Sequence, residues 1–92
     1  MFLFEVRFNN QPKKAIKKLD EKMKKRLHSL FLVLEIEPVP AKNFDLKKIA
    51  GSTETYRVRL GHFRVEYFVE WQSKTVFVLF VKRRKERTYK RN

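Results

Sequence analysis

Arg57, Arg59 and Arg64 lie in two short alternating stretches on either side of Gly61-His62, a spacing that puts all three on one face of a β-hairpin. A guanidinium is planar, stays protonated and offers a fork of donors that fits a phosphate bidentately. Held together on a rigid element, three of them form a surface that can bind and neutralise a phosphodiester. The same pattern has a plainer reading, in which the arginines coat an exposed sheet face and pair with Glu66 or Glu70. A second cluster closes the chain from Lys82 to Asn92, with Glu86 its single acid and Tyr89 able to stack on a base. Because this cluster follows an apolar strand directly, it reads as an ordered part of the same surface.

Other chemistries lack their residues. There is no cysteine, so thiol nucleophiles and Cys-ligated metals are excluded. His28 and His62 fall in different elements and read as a solvated helix residue and a turn residue. With Gly51 and Gly61 the only glycines, no phosphate-cradling loop is possible. Ser29, Ser52 and Ser73 have no supporting context for a catalytic triad. No metal site and no cofactor are expected.

The elements that would position the arginines follow from periodicity. Phe2, Phe4, Val6 and Phe8 fall on alternate positions, with Glu5 and Arg7 between them, and predict a first strand. Pro12 suits the first turn of a short helix that turns Ala15, Ile16 and Leu19 inward. Asp20 is the expected cap of a second helix, whose Met23, Leu27, Leu30, Phe31 and Leu34 form one apolar stripe before Pro38 and Pro40 end it. Residues 41–54 read as a connector. Tyr56, Val58 and Leu60 then alternate with Thr55, Arg57 and Arg59, and Phe63 to Trp71 alternate in turn. Residues 75–81 are apolar on both faces, as expected of a strand inside a sheet. The result is an α+β fold of order β-α-α-β-β-β, spanning residues 1–92 as a single domain. Its two helices cover one face of a mainly antiparallel sheet of three or four strands, and the arginines occupy the other.

Composition sets the partner class. The 92 residues hold 23 Lys and Arg against 10 Asp and Glu, a formal charge of +13, which is a field that attracts polyanions. At 42% hydrophobic with nine Phe, the chain is too apolar for a basic disordered tail. Its apolar runs are far shorter than the roughly 18 residues of a membrane span, and no signal peptide is visible, so a cytoplasmic location is expected.

Residues 14–20, the stretch Leu46 to Gly51, the segment from Tyr56 through Arg57, Arg59, Gly61 and Arg64 to Tyr67, and the Arg-rich end with Tyr89 resemble the RelE toxins of the RelE/ParE superfamily. Residues 34–40 resemble its archaeal branch in particular. The resemblance runs through essentially the whole chain, and the tyrosine–arginine strand with its Gly turn and second arginine is its most specific part. It implies a toxin of a type II toxin–antitoxin pair: an endoribonuclease that cuts mRNA in the decoding site of the ribosome and is silenced by a RelB-like acidic antitoxin wrapping the domain. The implied reaction is attack of a ribose 2′-hydroxyl on its own 3′ phosphate, which needs neither metal nor protein nucleophile. On this resemblance Arg57, Arg59, Arg64, Arg84 and Tyr89 match catalytic positions, with Arg87 the rival of Arg84. Lys13, Lys14, Lys17, Lys18, Lys24, Lys25, Lys47, Lys48 and Arg83 are expected to steer the protein to ribosome and message. Two departures stand out: some relatives carry lysine at the positions of Arg57 and Arg59, and the acid–base pair of others is missing, with Asp45 only near its place. Arginine accepts no proton, so cleavage of free RNA is expected to be minimal. Two other readings share the composition: a ParE-like toxin that poisons DNA gyrase, and a basic RNA-binding module without chemistry.

Overall fold

The alternating N-terminal residues form strand β1 (Glu5–Phe8), followed by helices α1 (Asn10–Lys17) and α2 (Glu21–Ile36) and then strands β2 (Asp45–Lys48), β3 (Thr55–Leu60), β4 (Phe63–Glu70) and β5 (Thr75–Arg83). The computed structural model describes residues 3–83. The strands form one sheet in the order β1-β5-β4-β3-β2, with β1 parallel to β5 and every other neighbour antiparallel.

Among the described residues the sheet therefore has five strands where three or four are expected, the additional one being β2 inside the expected connector. Its sequence hides it. Only Leu46 of its four residues is even half-buried, and Asp and Lys are poor strand formers, so neither alternation nor propensity marks it. It exists because β3 offers a ladder edge, pairing Asp45 with Arg59 and Lys47 with Arg57. Gly51, at φ +84°, turns the chain between the two strands, and Ile49 donates its N–H to the carbonyl of Thr55.

The helices form where their apolar stripes meet the sheet. The carboxylate of Asp20 caps α2 by accepting from the Met23 N–H at 2.8 Å. Leu27, Leu30 and Leu34 of α2 are buried in one core with Val58 of β3, Val65, Tyr67 and Val69 of β4, and Val76, Val78 and Val81 of β5. The hydroxyl of Tyr67 satisfies itself by donating to the carbonyl of Pro38 at 2.7 Å, tying the chain after α2 to the centre of the sheet. Burial in this core pushes the Tyr67 phenol well above the ordinary tyrosine range.

Two local devices set which residues face outward. At the tip of the β3–β4 hairpin Gly61 takes φ +62° while His62 stays out of the left-handed region, the conformation a two-residue turn with glycine first requires. A Cβ on Gly61 would lie 2.7 Å from a guanidinium nitrogen of Arg26, the movable end of a long side chain, so it is the positive φ that calls for glycine here. In β5 the ladder shifts by one: Glu66 pairs with Phe80 but Tyr67 with Val78, leaving Leu79 as the extra residue of a β-bulge. Beyond the bulge the faces of β5 exchange. Val76, Val78 and Val81 all enter the core although 78 and 81 are three apart, and Phe80 and Lys82 emerge on the opposite side.

Candidate nucleic-acid interface

The face of the sheet away from the helices carries two cross-strand rows. The first runs Asp45, Arg59, Arg64, Lys82 and the second Lys47, Arg57, Glu66, Phe80, each residue opposite the next in register. Arg57, Arg59 and Arg64 thus share one face as the sequence predicts, and β2 adds Lys47 and Asp45 to it.

Their electrostatic settings differ. Arg57 donates from Nε to Glu66 at 3.3 Å, so the ion-pairing reading of these arginines holds for this member. Arg59 lies 3.7 Å from Asp45, both more than half exposed, a pair that contributes little to stability. Arg64 has no acid opposite it; its cross-strand neighbours are Arg59 and Lys82. Its Nε is sealed from solvent and has no hydrogen-bond partner among the described residues. Three cations side by side on adjacent strands repel one another, and a buried donor without a partner is unfavourable. An anion bound over Arg59, Arg64 and Lys82 would relieve the repulsion. Asp45, Lys47, Arg57 and Arg59 line a small cleft of about 130 Å³ at one end of this surface.

The remaining basic residues lie elsewhere. Lys47 and Lys48 are split by strand alternation: Lys48 is opposite Tyr56 and helps hold down the acidity constant of Glu54. Lys13, Lys14, Lys17, Lys18 and Lys25 are exposed on the helices, on the far side of the sheet from the arginines. Lys24 sits 3.8 Å from Glu21 and, with Lys25 and His28, edges an apolar groove floored by Phe8, Ile16, Leu27 and Phe31. The guanidinium of Arg83 lies over the Phe63 ring at 5.2 Å, on the opposite side from Arg64 by strand alternation. Arg84, Arg87 and Tyr89 lie outside the described residues. Lys82 and Phe80 are additions that sequence reasoning missed. The register of the β3–β4 hairpin is readable from its two-residue turn, whereas their facing depends on the bulge at Leu79.

At the other end of β3 the carboxylate of Glu54 accepts from the indole of Trp71 at 2.9 Å and the hydroxyl of Tyr56 at 3.0 Å. These two bonds, that from Trp71 foremost, hold its acidity constant below the usual carboxylate value. Burial, and then the bond to Glu54, push the Tyr56 phenol up, so Tyr56 is a proton-bearing anchor. Among the described residues no three His, Asp or Glu side chains are grouped closely enough to hold a metal ion, and no helix is long and apolar enough to cross a membrane.

A cationic sheet face backed by two helices is the construction of a family of small toxins. The sequence profile of the ParE toxin of the type II toxin–antitoxin system parDE matches residues 3–88, so the chain belongs to the RelE/ParE family of type II toxins. Its likeness is to the RelE branch. It is 37% identical over 87 residues to a Methanocaldococcus jannaschii protein named as a candidate RelE1 toxin, an alignment that covers 95% of this chain and 96% of the relative. The archaeal RelE–RelB complex of Pyrococcus horikoshii contains a chain that superposes with a TM-score of 0.85 at 34% identity, covering 94% of this chain and all of that one. RelE from the intact Escherichia coli RelBE complex shares the fold, with a TM-score of 0.75 at 23% identity over 91% of this chain and 99% of that one.

Proposed function

We propose that this toxin is a ribosome-dependent, metal-independent endoribonuclease that arrests translation by cutting mRNA in the decoding site. The observation that carries the reading is the row Arg59, Arg64, Lys82, in which, among the described residues, Arg64 presents a guanidinium with no acid opposite it and a sealed, unbonded Nε. Such a row suits the extra negative charge of the pentavalent phosphorane formed as the ribose 2′-oxygen attacks the adjacent phosphorus, before its collapse breaks the bond to the 5′-oxygen and leaves a 2′,3′-cyclic phosphate and a 5′-hydroxyl. Charge placed beforehand where it develops in the transition state is a large contributor to catalysis. Arg57 and Arg59 hold the message in line, Arg64 neutralises the phosphorane, and Arg84 or Arg87 with Tyr89 completes the site. Guanidinium groups cannot take the 2′-proton, so the ribosome has to supply the geometry and part of the proton transfer. The protein acts as one domain over residues 1–92 in the cytoplasm.

The similar archaeal RelE was solved together with RelB. An acidic RelB-like antitoxin covering the arginine face fits the +13 charge of this chain. The helix lysines steer the protein toward ribosomal RNA without taking part in chemistry.

Primer extension on a translated message tests the reading. Cuts within codons are expected for the wild type, none for Arg64→Ala, and few on the same RNA without ribosomes. Equal cutting of free RNA would sink the ribosome-dependent mechanism. The family to which the chain belongs includes the ParE toxins, so a gyrase supercoiling assay belongs beside it: gyrase inhibition without RNA cuts would assign the chain to the gyrase-poisoning reading instead.

A further inference from the structure

The bulge at Leu79 brings two residues to the arginine face that regular pairing would place elsewhere. Had the register of Val76 and Val78 continued, Phe80 would be opposite Val65 in the core and Val81 opposite Arg64 on the open face. Instead Phe80 is 38% exposed and Lys82 stands next to Arg64. A bulge disrupts ladder bonds to re-aim side chains, and here the residues re-aimed are an aromatic ring and a cation. They act as a pair, because the ammonium of Lys82 lies over the Phe80 ring, 4.4 Å from its centroid.

The ring is not an isolated surface phenylalanine. Phe68 and Phe77 are paired opposite each other on the same face and are half-buried, so Phe80 continues an aromatic lane beside the cations. Phe80 is the diagonal neighbour of Arg64 across the β4–β5 ladder, a separation of about 7–8 Å. That is the scale on which one nucleotide separates its phosphate from the plane of its base. The Lys82 ammonium covers the ring in the free protein, and its flexible stem lets it swing to a phosphate and open that face to a base. An aromatic face at this distance from a phosphate-binding arginine is the arrangement by which proteins hold single-stranded nucleic acid.

We propose that Phe80 is a base-stacking platform for single-stranded RNA on the open sheet face, and that Lys82 binds the phosphate of the stacked nucleotide. This rests on the reading of the arginine face as the RNA-contacting surface, and it adds a second nucleobase subsite, on strand β5, to the stacking role already proposed for Tyr89. Stacking tolerates every base and favours purines by their larger π-face, so the platform biases the toxin toward a purine at one position of the message.

The test uses the full chain and a fluorescent hexanucleotide of 2′-O-methyladenosine, which cannot be cleaved, titrated over a range of salt. Phe80→Ala weakens binding by about 5- to 150-fold at every salt concentration, with the log–log salt slope unchanged. Phe80→Trp restores binding and Phe80→Leu, which keeps apolar bulk without a π-face, does not. Lys82→Ala lowers the slope by about 0.7, the value for one phosphate contact on a single strand. Arg64→Ala serves as the control for the underlying reading. If Arg64→Ala leaves both affinity and slope intact, the RNA face itself is wrong and the platform falls with it. If Arg64→Ala weakens binding while Phe80→Ala or Phe80→Leu matches the wild type, the RNA face stands and the platform is refuted.

Discussion

Arg64→Met separates function from stability in a direction opposite to most substitutions. Arg59 and Arg64 form the second pair in from the two-residue turn, a pair without ladder bonds between its members, whose Cα atoms are about 4.5 Å apart. Two guanidinium charges about 6 Å apart repel by roughly 0.7 kcal/mol in water and about 2.8 kcal/mol at an effective dielectric of 20. Arg59 is 54% exposed and shares its charge with Asp45, so the lower end applies, about 1 kcal/mol. The sealed Nε of Arg64 adds a desolvation cost of roughly 1–3 kcal/mol, part of which water reaching the open face relieves. Methionine keeps an unbranched stem on the sheet while removing both terms. A net stabilisation of about 1–2 kcal/mol follows, and each kcal/mol raises Tm by roughly 4–8 °C in a domain of this size. The assay is thermal unfolding followed by circular dichroism, on wild type and variant stripped of any partner in guanidinium and refolded. Arg64→Lys should recover only the desolvation part, and the gain of Arg64→Met should shrink in about 0.5 M salt as the Coulomb part is screened. The same variant should have lost messenger cleavage. A lower Tm for Arg64→Met at low salt would show that Arg64 stabilises the sheet, and the argument for a strained anion site would collapse.

Other substitutions probe the frame that holds this site. Tyr67→Phe deletes the bond to the Pro38 carbonyl and should cost about 1–3 kcal/mol in urea unfolding, with the slope of the transition unchanged. Gly61→Ala and Gly51→Ala should each destabilise by about 1 kcal/mol or more, because both hold a positive φ that a side chain strains, and Arg26→Ala should leave the Gly61→Ala loss nearly unchanged, since the Arg26 guanidinium can swing aside. Glu54 titrates lower in the folded protein than unfolded, so its contribution is full above the unfolded value near 4.5 and fades as pH falls through the folded value. The stability advantage of wild type over Glu54→Gln, measured from pH 7 downward, should therefore be largest at pH 7 and vanish in acid; a difference that grew on acidification would overturn the assignment of Glu54 as the charged acceptor of Trp71 and Tyr56.

Much of this frame is legible in the residues. The stripe of Met23, Leu27, Leu30, Phe31 and Leu34, the cap at Asp20 and the glycine-first hairpin are each written in a handful of neighbouring positions, and each forms as read. The hairpin also fixes which residues face Arg57, Arg59 and Arg64, since a two-residue turn leaves one register. What escapes is whatever depends on residues distant in the chain. Strand β2 has no pattern of its own and is defined by the edge of β3. The facing of Phe80 and Lys82 depends on one unpaired residue, Leu79, in a strand apolar on both sides, where alternation carries no phase. For the same reason the basic residues cannot be divided in the sequence: Lys47 reaches the arginine face and Lys48, its neighbour, does not.

The parallel pairing of β1 with β5 has a consequence for the order of assembly. The first strand to be synthesised finds its ladder partner only in the last described strand, and the leucines of α2 meet Val76 and Val78 only then. Loop closure over such a separation makes the final step slow compared with helix or hairpin formation. Until β5 arrives, the hairpin bearing Arg57, Arg59 and Arg64 lacks the neighbour that supplies Lys82 and the core that stiffens it. A ribosome translating this chain thus emits the arginine hairpin before it has made the strand that gives the cationic face its rigid backing.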